Sequence, residues 1–387
     1  MISRDDRPPA PAMVRQGISR RAFLRFSAAM ATALALPPAY APRIAAAVAA
    51  APRLPVVWLR GQACGGETRA LLQSSHPTTA ELLLDLLSVE YQESIMAASG
   101  RSAEEARLRV MESAPGGYLA IVEGAIPREA DGAFCTVGAR PFRDIVREVC
   151  AGAVGTIAIG SCAVDGGAPA AAGGPTGSVG VGQVVADTAT IVNLPGCPVN
   201  VENLAATIVH YLTFRAFPPA DARGRPLFAY GGLLHNLCER RAHFEFGEFV
   251  QAWGDEGSQK GWCLYKMGCK GPETFANCPS KRYADGTSWP VRAGHGCIGC
   301  TAAGSWDAMG PAHSRLPAPL PFVPQITADQ IGLGLVGGVA ALTVAHGAAS
   351  AVRLRRWGAE ARRAASTTVE PAVDGEPERV NTPEVDL

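Results

Sequence analysis

The chain is short of most features that point to a common function. Its 35 Lys and Arg balance 35 Asp and Glu, leaving no net charge to hold nucleic acid. Its Gly- and Ala-rich stretch, residues 166–182, contains neither G-x-G-x-x-G nor G-x4-G-K-S/T. That argues against a nucleotide-phosphate cradle and leaves a long loop covering the edge of a site. No internal repeat is visible. Cysteine is scarce, at 11 in 387 residues. Disulfide-dense scaffolds are richer in cysteine and usually much shorter, so a disulfide framework is a poor fit even for an exported chain.

What cysteine there is falls into order. His235-x2-Cys238, Cys263-x5-Cys269 and Cys278-x18-Cys297-x2-Cys300 crowd into one third of the chain. Cys64, Cys162 and Cys197 each follow an apolar run, in a Gly- or Pro-rich turn. Thiolates are soft ligands that suit iron–sulfur clusters and zinc, and loops let several converge on one centre. Ten such candidates are too many for one zinc and fit two or three clusters. Structural zinc remains the competing reading, and Cys297-x2-Cys300 alone would suit it. The pattern describes an electron conductor rather than a self-contained catalyst.

Both ends carry membrane signals. Ser19-Arg20-Arg21-Ala22-Phe23-Leu24-Arg25-Phe26 precedes an Ala/Leu-rich core and small residues around 45–51, as in a twin-arginine signal peptide. Residues 1–50 are therefore expected to be a leader, with the mature chain starting between Val48 and Pro55. Clusters are assembled in the reducing cytoplasm, so their carrier needs a route that exports folded cargo. Ile331–Val352 is 22 residues without a charge, long enough to cross a hydrocarbon core. Arg353, Arg355, Arg356, Arg362 and Arg363 follow it, which puts the tail, 353–387, in the cytoplasm and the main domain outside. From Ala364 the tail is polar and reads as disordered.

Between the ends, short apolar runs alternate with helical stretches. Strands are expected at Pro55–Leu59, Tyr118–Val122, Thr156–Ile159 and Thr190–Leu194, and helices at Thr79–Leu87, Pro141–Ala151 and Val201–Leu212. The expected fold class is α/β: a flavodoxin-like, doubly wound parallel sheet over 51–217. An irregular iron–sulfur domain over 218–319, held by its metal centres more than by an apolar core, a linker over 320–330 and the membrane helix follow. Ligands bind at the carboxyl ends of strands in such sheets, where Cys64, Glu123, Cys162 and Cys197 all fall.

The chain resembles the small subunit of membrane-bound, uptake-type NiFe hydrogenases. The resemblance rests on Trp58-Leu-Arg-Gly-Gln-Ala-Cys64, Val122-Glu-Gly-Ala-Ile-Pro127, Gly160-Ser-Cys162-Ala and Pro195-Gly-Cys197-Pro198. It continues through His235-Asn-Leu-Cys238-Glu-Arg-Arg, Cys263-Leu-Tyr-Lys-Met-Gly-Cys269-Lys-Gly-Pro and Gly294-His-Gly-Cys297-Ile-Gly-Cys300. It implies a proximal 4Fe-4S cluster on Cys64, Cys162 and Cys197, and a medial 3Fe-4S cluster on Cys278, Cys297 and Cys300. A distal 4Fe-4S cluster would use His235, Cys238, Cys263 and Cys269. Pro290 stands where a fourth medial cysteine would belong. The nickel–iron centre would lie in an obligate large-subunit partner, whose paired C-x2-C motifs are absent here. Electrons from H2 would pass to a membrane cytochrome b or another quinone-linked acceptor, with the main domain on the periplasmic side. A hydrogen sensor with the same clusters is the alternative, but needs neither leader nor membrane helix.

This sequence departs from the family at its first motif, which normally reads C-x-G-C. Here it is Cys64-Gly65-Gly66-Glu67. Glu67 occupies the slot of the fourth proximal ligand: its carboxylate binds iron, or that iron takes a water or is missing. The bland reading is an exposed Glu on a first helical turn. Gly65 and Gly167 stand where oxygen-tolerant relatives carry two extra cysteines. Glu123 is a candidate for proton traffic, or else a carboxylate capping a turn. His346, inside the membrane segment, would neighbour a partner's haem or bond across a helix interface. Cys135 and Cys150 fit no ligand group and read as buried small hydrophobes. His76, His210, His243, His295 and His313 read as structural.

Overall fold

The computed structural model describes residues 20–74, 86–185, 190–284, 286–314 and 328–366. Five strands form its sheet: β1 (Leu54–Arg60), β2 (Leu87–Gln92), β3 (Leu119–Glu123), β4 (Gly155–Ile159) and β5 (Ile191–Leu194). All pairings in this sheet are parallel, in the order β2-β1-β3-β4-β5, and a separate two-stranded antiparallel ribbon joins Thr136–Val137 to Arg140–Pro141. This is the flavodoxin-like order, whose switch point lies between β1 and β3.

Successive side chains on a strand point to opposite faces. Val56, Trp58, Leu119, Ile121, Ile157 and Ile159 accordingly enter one core layer. Val57, Leu59, Ala120, Val122 and Ala158 enter the other. With both faces covered, these strands read as continuous apolar runs, so their sequences announce them. Each fully buried Val, Leu or Ile contributes about 1.5–3 kcal/mol, which keeps the sheet edge rigid.

The crossovers are helical where described. Gly66–Leu72 (here α1) follows β1, Arg101–Ser113 (α2) follows β2, and Phe142–Ala151 (α3) precedes β4. Gly160–Asp165 (α4) follows β4, and Val201–Phe214 (α5) follows β5. On α3 the buried residues Phe142, Ile145, Val146, Val149 and Cys150 recur at helical spacing. Cys150 is fully buried, and burial pushes its thiol up to about 11. Asn200 caps α5 by accepting the Glu202 N–H at 3.0 Å.

The expected helix at 79–87 is corrected at its end, because Leu87 opens β2; residues 75–85, with His76, lie outside the described residues. β2 is an edge strand, and its Ser88, Glu90 and Gln92 interrupt the apolar run that revealed the others. It also carries a register shift opposite Val56 and Val57.

The segment expected to be a leader forms two helices, Arg20–Ala33 and Ala41–Ala50, which pack on each other and on α5. Phe23, Phe26, Met30, Ile44 and Val48 are buried there, while Arg21 and Arg25 are exposed. That cover explains why α5 is buried continuously from Asn203 to Val209. Ser19 and the residues before it lie outside the described residues, as do 315–327 of the expected linker and 367–387 of the expected tail.

After α5 the chain makes short helical turns and isolated bridges rather than further sheet. Tyr230, Leu234, Val250, Leu264, Trp289 and Val291 nevertheless join the first core layer, so this segment shares the hydrophobic core of the sheet domain. The C-terminal helix, Ala328–Ser366, belongs to a separate unit. Within it, residues 332–364 are long and apolar enough to cross a membrane, with an 18-residue window of mean hydropathy 1.6. His346 is exposed on that helix.

Candidate metal centres

Four strands end at one edge, and their loops bring the first set together. Gly65, in the left-handed region at φ 80°, lets the chain turn from Cys64 straight into α1. A Cβ at Gly66 would lie 3.2 Å from Cys64 Sγ and 3.5 Å from Pro198, so the Cys64 and Cys197 loops abut. Burial, then the charges of Glu67, Cys197 and Cys64, pushes the Cys162 thiol up to about 12. Cys197 is raised by burial, then by Glu67 and Cys64. Cys64 and Cys197 are exposed, so this set opens outward. Gly167 has φ 49°, and a Cβ there would come 2.8 Å from Cys162 Sγ. A second cysteine would not enter that position without strain.

Glu67 is not the exposed helix-end acid of the bland reading: it is 6% exposed. Its carboxyl is raised to about 7, first by burial and then by Glu123. It fills the space beside Gly160, where a Cβ would fall 2.1 Å from Oε1. Glu123 is wholly buried; its Oε2 accepts from Thr68 Oγ1 at 2.6 Å and Trp58 Nε1 at 3.2 Å. Gln92 donates to Thr68 in turn, at 3.0 Å. Glu123 Oε1 lies 4.0 Å from Arg60 Nε and has no hydrogen-bond partner among the described residues. A protonated Glu67 lies close enough to donate to Glu123.

The second set surrounds a cavity of about 360 Å³ lined by Cys278, Cys297, Cys300, Cys197, Trp289 and Pro290. Burial is the first cause that lifts its thiols, Cys278 to about 11 and Cys297 and Cys300 to about 12. Among the described residues the buried Trp289 indole N–H finds no acceptor, a donor that an anionic group in the cavity would satisfy. Gly299 N–H donates to Cys297 Sγ at 3.4 Å.

In the third set, His235, Cys238, Cys263 and Cys269 line one tight cavity. Arg240 N–H donates to Cys238 Sγ at 3.4 Å. Burial, then the Arg241 guanidinium, holds His235 below its ordinary range, which favours the neutral imidazole that ligates metals. The Phe244 ring meets His235 edge-on at 4.7 Å.

The sets form a contiguous row. Ser161, beside Cys162, donates to the Cys300 carbonyl at 2.5 Å and accepts from Gly196 N–H, beside Cys197, at 3.1 Å. Cys297 N–H donates to Cys269 Sγ at 3.2 Å, and Lys270 N–H to the Cys297 carbonyl at 2.7 Å. All 11 cysteines are free. Among the described residues no three His, Cys, Asp or Glu side chains close on a single ion position. A zinc ion draws its donors to about 2.0–2.3 Å of one point, whereas donors spread around a cavity fit a polynuclear core.

Trp58, Ser161 and Lys270 stand inside the motifs that carry the resemblance but have no role of their own there, and Thr68 is not singled out by the sequence. Lys270 abuts a cysteine motif, a signal that could have found it; the others act only through contacts the fold creates. The three cysteines of the sheet edge come together, Glu123 is linked to them through Glu67, and His346 lies in a separate unit.

A parallel α/β sheet with soft-donor sets running from its edge into an irregular segment is the build of an iron–sulfur electron-transfer protein. Residues 230–313 match the family model for the carboxy-terminal region of NiFe/NiFeSe hydrogenase small subunits. Residues 64–211 match that for the NADH ubiquinone oxidoreductase 20 Kd subunit. The chain is 44% identical over 341 residues to the uptake hydrogenase small subunit of Azotobacter vinelandii, covering 88% of this chain and 95% of that one. It is 43% identical over 349 residues to the hydrogenase-1 small chain of Escherichia coli K12, covering 89% and 92%. Among solved structures, the reduced, active Ni-Fe-Se hydrogenase from Desulfomicrobium baculatum aligns with a TM-score of 0.65 at 32% identity. That alignment covers 68% of this chain and all of that one. The chain belongs to the NiFe hydrogenase small-subunit family. It is the electron-transfer subunit of an uptake hydrogenase, pairs with a large subunit that holds the active site, and has the cysteines of a family that binds iron–sulfur clusters.

Proposed function

We propose that the three sets hold three clusters in series. Beside the large subunit, a proximal 4Fe-4S cluster would be held by Cys64, Glu67, Cys162 and Cys197. A medial 3Fe-4S cluster would sit on Cys278, Cys297 and Cys300, and a distal 4Fe-4S cluster on His235, Cys238, Cys263 and Cys269. Bound there, the clusters supply one-electron carriers. The chain's own residues fix their order, exclude water and set their surroundings. The observation that carries the reading is the row of direct hydrogen bonds, Ser161 to Cys300 and Cys297 to Cys269, which leaves no gap between neighbouring sets. Pro290 at the medial cavity, where a thiolate would be needed for a fourth iron, supports three irons there.

Electrons from H2 would leave by the distal set to a membrane cytochrome b or another quinone-linked acceptor. The long apolar C-terminal helix supports anchoring, and the arginines after it support a periplasmic main domain. The paired arginines near the N-terminus support export by the twin-arginine route. Two roles remain for Glu67. Its place three residues after Cys64 supports ligation, while its burial against Glu123 supports a carboxyl pair that shares a proton. Elemental analysis of the purified heterodimer tests the cluster reading. Iron with acid-labile sulfide is expected, and zinc without sulfide would overturn it.

A further inference from the structure

Lys270 is 1% exposed, the deepest lysine described. Its ammonium donates to the Ser314 carbonyl, and no ion pair to a carboxylate is found for it among the described residues. The charges that bear on it are an exposed Glu273 and the sulfurs of Cys269 and Cys297. Those sulfurs belong to two different sets. Cys269 precedes it in the chain, and its own backbone N–H holds the Cys297 carbonyl at 2.7 Å. The Thr274 hydroxyl, which bonds the Lys270 carbonyl at 2.7 Å, also lies 3.9 Å from Cys297 Sγ.

A buried charge is tolerated only where an opposite charge compensates it. Here the one carboxylate that bears on it, Glu273, is exposed to solvent, which screens it, and the other charges are the thiolate sites of Cys269 and Cys297. Resting on the cluster reading above, we propose that Lys270 is a positioning residue for electron transfer, its ammonium the shared counter-ion of the medial and distal clusters. A fixed positive charge favours the reduced form of a neighbouring cluster, which gains negative charge on accepting an electron. Lys270 therefore raises both potentials together, which favours passage of the electron from the proximal set onto these two and leaves the step between them unchanged.

The test is a redox titration of the whole heterodimer followed by electron paramagnetic resonance, on wild type, Lys270→Met and Lys270→Arg. In Lys270→Met the medial and distal potentials should both fall while the proximal one stays. Lys270→Arg, which keeps the charge, should titrate like wild type. If Lys270→Met loses both signals while Lys270→Arg retains them at wild-type potentials, the charge requirement stands. Unchanged potentials in Lys270→Met would overturn the proposal. So would equal shifts or equal cluster loss in the two variants, which would reduce Lys270 to a packing role at Ser314. Absence of three signals from wild type would instead defeat the cluster reading.

Discussion

Glu67 stands three residues after Cys64, where the resemblance leads one to expect a second cysteine, and its surroundings sharpen the question. A carboxylate is a harder donor than a thiolate, and one with a proton affinity raised to about 7 must release its proton to bind iron. If Glu67 ligates, Glu67→Cys should convert the proximal signal and potential to the ordinary four-thiolate kind, and Glu67→Gln should make one iron labile. If both variants keep the wild-type spectrum and potential, Glu67 serves only the pair with Glu123. The ligand-type residues were legible because soft donors in Gly-rich turns are rare and ordered. The buried acid pair was not, because it forms only when the first turn of α1 folds over the end of β3, bringing Glu67 and Glu123 together from 56 positions apart in the chain. Lys270 escaped for a similar reason: a lysine ordinarily lies at the surface, and only packing shows this one inside.

At the scale of elements, legibility followed burial. The sequences of β1, β3, β4 and β5 are apolar or nearly so, because helices cover both faces. β2 is an edge strand with polar alternate positions, and only its neighbour β1 makes it a strand. The helices over Arg20–Ala33 and Ala41–Ala50 cover α5 with the same apolar residues that suit the core of a leader. The C-terminal helix has no such double use, with no part of its apolar window buried. Removing residues 331–352 should release a soluble heterodimer that reduces artificial dyes with H2 but no longer feeds a membrane acceptor. Fractionation and dye assays check this, and a truncated form that stays tightly in the membrane would refute the anchor.

On the scale of the whole molecule, the chain is a conduit built from two kinds of stability. The sheet domain stands on two apolar layers. The segment after it borrows part of one layer and, in the proposed reading, completes itself around metal. That division explains why the order of the ligand sets could be read in the sequence, while the bonds between sets, through Ser161, Cys297 and Lys270, could not. They join segments distant in sequence and use residue types that are common everywhere. In the proposed reading three distinct clusters stand in one row between the active-site partner and the acceptor. Electron paramagnetic resonance of the purified heterodimer through a redox titration tests it most directly. A 3Fe-4S signal is expected in the oxidised protein and two separate 4Fe-4S signals on reduction, with magnetic coupling between neighbours. A single cluster, or three without mutual coupling, would contradict it.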